Sequence, residues 1–141
     1  MNRQDRRAIS REYFSRERLA EHHFRSFNNF LDRGMQRVVD EKESIDTDIG
    51  DKEGQEPVRV DLSNVRVVTP RVREADGSEE LLYPQEARLR NITYSAPVFM
   101  EMSIVRGGEE EEEHVVDQAE TKVGRMPVMV GSNKCNINDF T

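Results

Sequence analysis

Residue types that would mark a disulfide scaffold or a membrane protein are scarce in this chain. Its 141 residues include a single cysteine, Cys135, so no internal disulfide can form, which is typical of a reducing cytoplasm. No run of about 18 apolar residues is present, and the first residues contain no hydrophobic signal core. These absences predict a soluble, cytoplasmic protein without a membrane span.

Apolar residues are also few. They make up 35% of the chain and charged residues another 35%, against typical values of about 45–50% and about 25% in globular domains. The length suffices for one structural domain with its own core. We therefore expect a thin core, with the remaining surface either solvated or docked on a larger partner.

Lysine is the scarcest charged residue. The 21 basic residues comprise 17 arginines and four lysines, against 28 acids, a composition typical of proteins from a salt-loaded cytoplasm. Residues 1–37 carry a net charge of +4, residues 38–56 a net −6, and residues 107–141 a net −5. A protein that bound nucleic acid by itself would be basic overall, whereas this chain has a net charge of −7. The N-terminal arginines are compatible with phosphate contacts or with a protein interface, and the acidic total favours the interface.

Groups that carry out chemistry are missing from the sequence pattern. His22 and His23 are adjacent, so on a helix they point about 100° apart and cannot hold one metal ion together. His114 stands alone beside acids, and Cys135 has no nearby histidine that would make it a nucleophile. The sequence therefore predicts no catalytic, cofactor-binding or metal-binding residue on this chain, and no cofactor.

The first part of the chain has a helical pattern. Apolar residues recur at spacings of three and four from Ser15 to Val39, and Gly34 is expected to end or bend the first of two helices. Residues 40–56 are acidic and poor in apolar residues, so we expect a loop there. These boundaries divide one structural domain into an N-terminal arm with helices (1–39), an acidic loop (40–56) and a β-rich part (57–141).

The pattern changes to a period of two after Pro57. Ala75–Ser78 is a turn signal, and Pro84 suits the first turn of a short helix that ends near Arg90. A long alternating strand then follows Tyr94, and the Glu109–Glu113 run is expected to form a solvated turn before the chain returns. The predicted fold is α+β, with two N-terminal helices followed by a mostly antiparallel sheet that contains a short inserted helix.

Two strings of residues resemble a known family. They are Tyr83-Pro84-Gln85-Glu86-Ala87-Arg88-Leu89-Arg90-Asn91-Ile92-Thr93-Tyr94-Ser95-Ala96-Pro97 and Gly124-Arg125-Met126-Pro127-Val128-Met129. Their order and spacing resemble the N-terminal portion of the second-largest subunit of archaeal DNA-directed RNA polymerase. The short start and the composition are similar to the split B″ form of that subunit, and the chain stops before the family's protrusion is complete.

The resemblance implies a role in transcription as part of a nucleotidyltransferase. In that family this stretch begins the protrusion, an α/β lobe on one wall of the DNA cleft, while the catalytic residues lie elsewhere. The implied partners are the other polymerase subunits, general initiation factors, and DNA within the assembled enzyme. Three cationic residues near the last strand are the candidates for a DNA-facing surface: Lys122, Arg125 and Lys134.

A second hypothesis does not use the resemblance. An acidic α+β chain without catalytic groups could also be a stand-alone protein-interaction module. The ordered occurrence of the two strings favours the polymerase subunit.

Overall fold

The architecture combines a helical N-terminal part with antiparallel strands. A computed structural model describes residues 2–16, 19–42, 44–47, 57–107 and 114–137. The helices are α1 (Arg3–Arg16), α2 (Glu21–Asn29), a π-helical turn (Phe30–Gly34), α3 (Met35–Lys42) and α4 (Pro84–Leu89). The strands are β1 (Ser44–Asp46), β2 (Val58–Val67), β3 (Arg71–Arg73), β4 (Glu79–Leu81), β5 (Ser95–Arg106) and β6 (His114–Pro127). The predicted α+β class is confirmed.

The main sheet has four antiparallel strands in the order β1-β2-β5-β6. One face carries the core, which contains Val67, Ala96, Val98, Val128 and Cys135. Phe27, Leu31 and Met35 from the helical layer pack against these residues. The helical stripe predicted from the sequence therefore packs against part of one face of the sheet.

The helices agree with the prediction at Gly34 and differ from it at the start. The prediction of a helix that starts near Ser15 is wrong, because α1 covers Arg3–Arg16 and α2 begins only at Glu21. The predicted meeting of two helices near Gly34 is present, as a π-helical turn that ends at Gly34 and joins α2 to α3 without a break. A Cβ atom at Gly34 would lie 2.8 Å from Cδ2 of Phe30, so the close approach of this ring explains the glycine.

The predicted acidic loop of residues 40–56 is shorter than expected. Helix α3 continues to Lys42, and Ser44–Asp46 forms β1, which pairs with Arg59–Asp61 of β2. Backbone pairing at the sheet edge needs no apolar side chains, so composition alone could not reveal this strand. Residues 43 and 48–56 lie outside the described residues.

The elements between β2 and β5 follow the sequence signals. Strands β3 and β4 form an antiparallel hairpin with Arg71 opposite Leu81. The turn between them contains Gly77 at a φ of +88°, a conformation that glycine adopts without strain. Pro84 occupies the first turn of α4, as predicted from its fixed φ angle.

Strand β5 forms as predicted, but burial along it does not alternate, because the four residues from Ser95 to Val98 are all buried. Ala96 and Val98 are buried on the helix-covered face, and Met100 follows on that face through its pairing with Val65. The alternation fails to predict burial at the far end, where Ile104 is exposed and Val105 is buried. A register shift lies between these two residues in the pairing with β6. The predicted Glu109–Glu113 turn lies outside the described residues.

The segment after β6 folds back under the hairpin through Asn136. Its side-chain amide donates hydrogen bonds to the carbonyl oxygens of Pro70 (2.9 Å) and Leu82 (2.8 Å), and the residue is completely buried. The backbone N–H of Asn136 also donates to the hydroxyl of Tyr94 at 2.9 Å. One buried side chain thus joins three parts of the chain. None of the helices described here has the length and apolar character of a membrane span.

Candidate nucleic-acid interface

Lys122 and Arg125 lie on the last strand of the sheet, where both side chains are exposed. Lys122 is opposite Phe99 of β5, and Arg125 is opposite Pro97. Paired residues of neighbouring strands share a face, and so do residues two apart on one strand. Lys122 and Arg125 therefore project from the same face of the sheet, opposite the helical layer.

An irregularity in β6 produces this arrangement. Residues three apart on a regular strand point to opposite faces. The register shifts so that Val98 is opposite Gly124 while Phe99 is opposite Lys122, which leaves Val123 as the extra residue of a β-bulge. The bulge thus brings the two cationic residues onto one face.

Arg125 is held in place by hydrogen bonds to its own sheet and to the hairpin. Its Nε donates to the hydroxyl of Ser95 at 3.0 Å, and its Nη2 donates to the carbonyl oxygen of Ser95 at 3.0 Å. Nη2 also donates a hydrogen bond to the carbonyl oxygen of Arg71. The planar guanidinium group suits such a set of diverging acceptors, whereas a lysine ammonium would not.

Arg66 lies next to Lys122 on this face but its charge is already paired. Its guanidinium forms two hydrogen bonds with the carboxylate of Glu120, at 2.9 and 3.1 Å, and lies 5.0 Å from the centre of the Phe99 ring. The hydrogen bond from Arg66 lowers the pKa of Glu120, and the same bond raises the pKa of Arg66. This pair leaves Lys122 as the cation on this part of the face without a described ion-pair partner.

Lys134 lies apart from the other two predicted residues. It belongs to a turn after β6, where the backbone N–H of the neighbouring Asn133 donates a hydrogen bond to the side-chain oxygen of Asn28 in α2 (2.9 Å). The turn therefore lies beside the helical layer, and the half-buried Lys134 does not join the face that carries Lys122 and Arg125. The structure groups two of the three predicted residues.

The sequence predicts that the histidines and the cysteine carry out no chemistry. In the structure, Cys135 and the pair His22 and His23 lie against neighbouring side chains. Cys135 is buried, and the hydroxyl of Tyr94 lies 3.4 Å from its sulfur. Within the described ranges, no three histidine, cysteine, aspartate or glutamate side chains are grouped to hold a metal ion. The rings of His22 and His23, near the start of α2, are tilted by 38° to each other with their centres 4.1 Å apart.

Two features of this region were missed by sequence reasoning. Asn136 was not singled out, although it connects the hairpin to the segment after β6. Arg71 and Arg73 of β3 were also overlooked, although both border a cavity together with Arg125. The alternating Arg-Val-Arg pattern of β3 was the available signal, because it places both arginines on one strand face.

Comparison with known proteins identifies the family. A family model described as RNA polymerase beta subunit matches residues 18–141 of the chain. The chain belongs to this RNA polymerase beta subunit family. The resemblance found in the two sequence strings is therefore confirmed.

Archaeal relatives of this polymerase family are similar over nearly the whole chain. It is 77% identical over 141 residues to DNA-directed RNA polymerase subunit Rpo2N of Halobacterium salinarum, which covers 100% of the chain and 27% of that relative. It is 37% identical to Rpo2N of Methanococcus vannielii, with 94% of the chain and 25% of the relative covered. It is 34% identical to subunit Rpo2 of Saccharolobus solfataricus, with 97% of the chain and 11% of the relative covered.

The chain thus spans about a quarter of the length of the Rpo2N relatives. The aligned lengths are similar, but they cover 25–27% of the Rpo2N proteins and only 11% of Rpo2. The Rpo2N proteins are therefore less than half as long as Rpo2. This difference agrees with the split subunit form that the sequence resembled.

Proposed function

We propose that this chain forms part of the protrusion of an archaeal-type RNA polymerase and lines one wall of its DNA cleft. In this role it serves transcription as a structural part of a nucleotidyltransferase and contributes no catalytic residue. The similarity to Rpo2N over the whole chain supports the assignment to the polymerase. It weighs against the alternative of a stand-alone acidic interaction module.

One observation supports contact with DNA in particular. The bulge at Val123 places Lys122 and Arg125 on one face of the sheet, and the helices pack against the other face. Cations on an exposed sheet face can contact phosphates without reading base edges. A polymerase moves along every template, so contacts of this sequence-independent kind suit a cleft wall.

Exposed elements provide surfaces for the other partners. Every side chain of α1 between Arg3 and Ser15 is exposed, and all of β6 is exposed except the half-buried Met126. An unpaired edge strand and an uncovered helix are common sites of protein association. We assign these surfaces to contacts with other polymerase subunits and with general initiation factors.

The experiment uses reconstituted polymerase carrying Lys122→Gln and Lys134→Gln together. These two lysines take part in no hydrogen bond or ion pair with other described residues, so their removal tests charge and leaves the hydrogen bonds of Arg125 to Ser95 and Arg71 intact. Removing one phosphate interaction should reduce the slope of log affinity against log salt by about 0.9 for upstream duplex DNA. Sequence preference should not change.

Lys42→Gln is the control for loss of a lysine charge, because it removes one such charge from the exposed end of α3. We expect the control enzyme to retain the native salt slope. If the double variant and the control have identical slopes, these lysines do not face DNA and this part of the proposal is wrong.

A further inference from the structure

A cavity of about 360 Å³ lies between the β3–β4 hairpin and the strand β5. Three arginines and two hydroxyl groups contribute to its lining: Arg71, Arg73, Arg125, Thr93 and Ser95. No aspartate or glutamate of the described part of the chain belongs to the lining residues. The cavity therefore concentrates positive charge and hydrogen-bond donors within an otherwise acidic chain.

Arg125 enters this cavity in a fixed orientation. Its Nε and Nη2 are held by Ser95 and by the carbonyl oxygen of Arg71, while its Nη1 has no hydrogen-bond partner among the described residues. The hydroxyl of Ser95 accepts the Nε hydrogen bond, so its own proton remains available for donation. Donors fixed in advance bind an anion with a smaller loss of side-chain entropy.

Arg71 and Arg73 supply two further positive charges, and Glu79 of β4 lies opposite Arg73 in the hairpin. They are two residues apart on β3 and therefore share one face of the strand. Neither guanidinium forms an ion pair or a hydrogen bond with another described side chain. Arg90, the residue that follows α4, differs from these two arginines. It forms ion pairs with the carboxylates of Glu74 at 2.6 Å and Glu86 at 2.9 Å.

We propose that this cavity binds a phosphate group, which in the assembled polymerase belongs to the DNA backbone. The proposal rests on the proposed function for its source of phosphate and on the cavity for its chemistry. Guanidinium groups bind phosphate oxygens in a planar two-point geometry, and hydroxyl donors complete the coordination of the remaining oxygens. Because no base edge is contacted, such a site would act on any sequence.

The site also extends the DNA-facing surface. Arg125 projects from the same sheet face as Lys122, and its guanidinium group donates a hydrogen bond to Arg71 of β3. A strand of DNA that follows this face would pass from Lys122 to the cavity. The three arginines would then contact the DNA strand at the cavity, and Lys122 would contact it further along the sheet.

The test substitutes Arg71→Gln and Arg73→Gln together in reconstituted polymerase. These side chains make no hydrogen bond with other described residues, so the fold should be retained, which is checked by an unchanged melting temperature. The expected result is a salt slope for duplex DNA that is lower by about 0.9 to 1.8, for the removal of one or two phosphate interactions. Arg88→Gln, a change on α4 outside the cavity lining, should leave the slope unchanged.

A second arm separates backbone phosphate from free phosphate. Inorganic phosphate is added against chloride at equal ionic strength, and the DNA affinity and melting temperature of native and variant enzymes are compared. A lower salt slope in the double variant supports binding of the DNA backbone. A phosphate-dependent rise in melting temperature that occurs only in the native enzyme, with no change in slope, supports a site for the free anion.

Two outcomes would overturn the inference. One is a double variant that matches the Arg88→Gln control in both arms. The other is a double variant that fails to assemble with the remaining subunits while the control assembles, because the arginines would then bind an acidic protein surface. Failure of the wider proposal is distinguishable, since it appears as unchanged DNA binding in the Lys122 and Lys134 variant.

Discussion

The guanidinium group of Arg125 donates hydrogen bonds to both oxygen atoms of Ser95. One nitrogen donates to the serine hydroxyl and another to the serine carbonyl oxygen, each at 3.0 Å. Ser95 opens β5 and is 6% exposed, so these bonds fasten the end of β6 to a buried part of the sheet. The residue predicted to face DNA is therefore also a structural clamp.

Replacing Arg125 with lysine should destabilise the chain although the charge is retained. A single ammonium group cannot satisfy the hydroxyl and both carbonyl oxygens, and we expect a loss of about 1–2 kcal/mol in the free energy of unfolding. Urea denaturation of the purified chain measures this loss. Lys122→Ala is the control and should change stability by less than about 0.5 kcal/mol. Equal stability of the Arg125→Lys and Lys122→Ala variants would show that the guanidinium hydrogen bonds of Arg125 do not stabilise the chain.

Asn136 should be more sensitive than any exposed residue of the same turn. Asn136→Ala removes two hydrogen bonds and leaves the carbonyl oxygens of Pro70 and Leu82 without this donor, a cost of about 2–4 kcal/mol. Asn133→Ala is the matched control, because Asn133 is exposed and uses only its backbone N–H in the bond to α2. Denaturant unfolding of both variants provides the comparison, and similar midpoints would contradict the assigned role of Asn136.

Because Arg66 and Glu120 form an ion pair, we predict that the free energy of unfolding depends on pH in the acidic range. Hydrogen bonding to Arg66 lowers the pKa of Glu120 in the folded chain. A lowered carboxyl pKa stabilises the fold above the ordinary value of 4.5, and this contribution disappears as the pH falls below 4.5 through the folded value.

Glu120→Gln tests this dependence because it removes the titration at that position. The difference in unfolding free energy between the native chain and the variant should be largest near neutral pH and should shrink on acidification. It should also shrink with added salt, since both partners are exposed. A difference that is constant from neutral to acidic pH would show that Glu120 has the same pKa in both states.

Much of the fold was predictable from local pattern. The strand β5, the turn at Gly77 and the proline at the start of α4 each have a local physical cause, and the structure contains all three elements. Helix α1 was missed because its arginine-rich sequence has no continuous apolar stripe, and helical periodicity is visible in a sequence only through such a stripe. The strand β1 was missed because it is held by backbone pairing to β2.

The candidate site was predictable only in part. The cationic residues near the last strand could be named from composition, but their grouping depends on a bulge at Val123 that no local pattern reveals. The carbonyl oxygen of Arg71 accepts a hydrogen bond from Arg125, which lies 54 positions further along the chain. Contacts at such separations follow from the register of the whole sheet, so sequence reasoning could not place Arg71 and Arg73 beside Arg125.

Site-specific crosslinking tests the central claim most directly, namely that the sheet face bearing Lys122 lines the DNA cleft. A photoreactive amino acid is placed at position 122 or at position 119 of the chain in assembled polymerase bound to promoter DNA. Ala119 is the control because it is exposed on the same strand but pairs with Met102 on the opposite face. We predict crosslinks to upstream duplex DNA from position 122 and none from position 119. Crosslinks from position 119 alone, or DNA crosslinks from neither position, would contradict the proposed role.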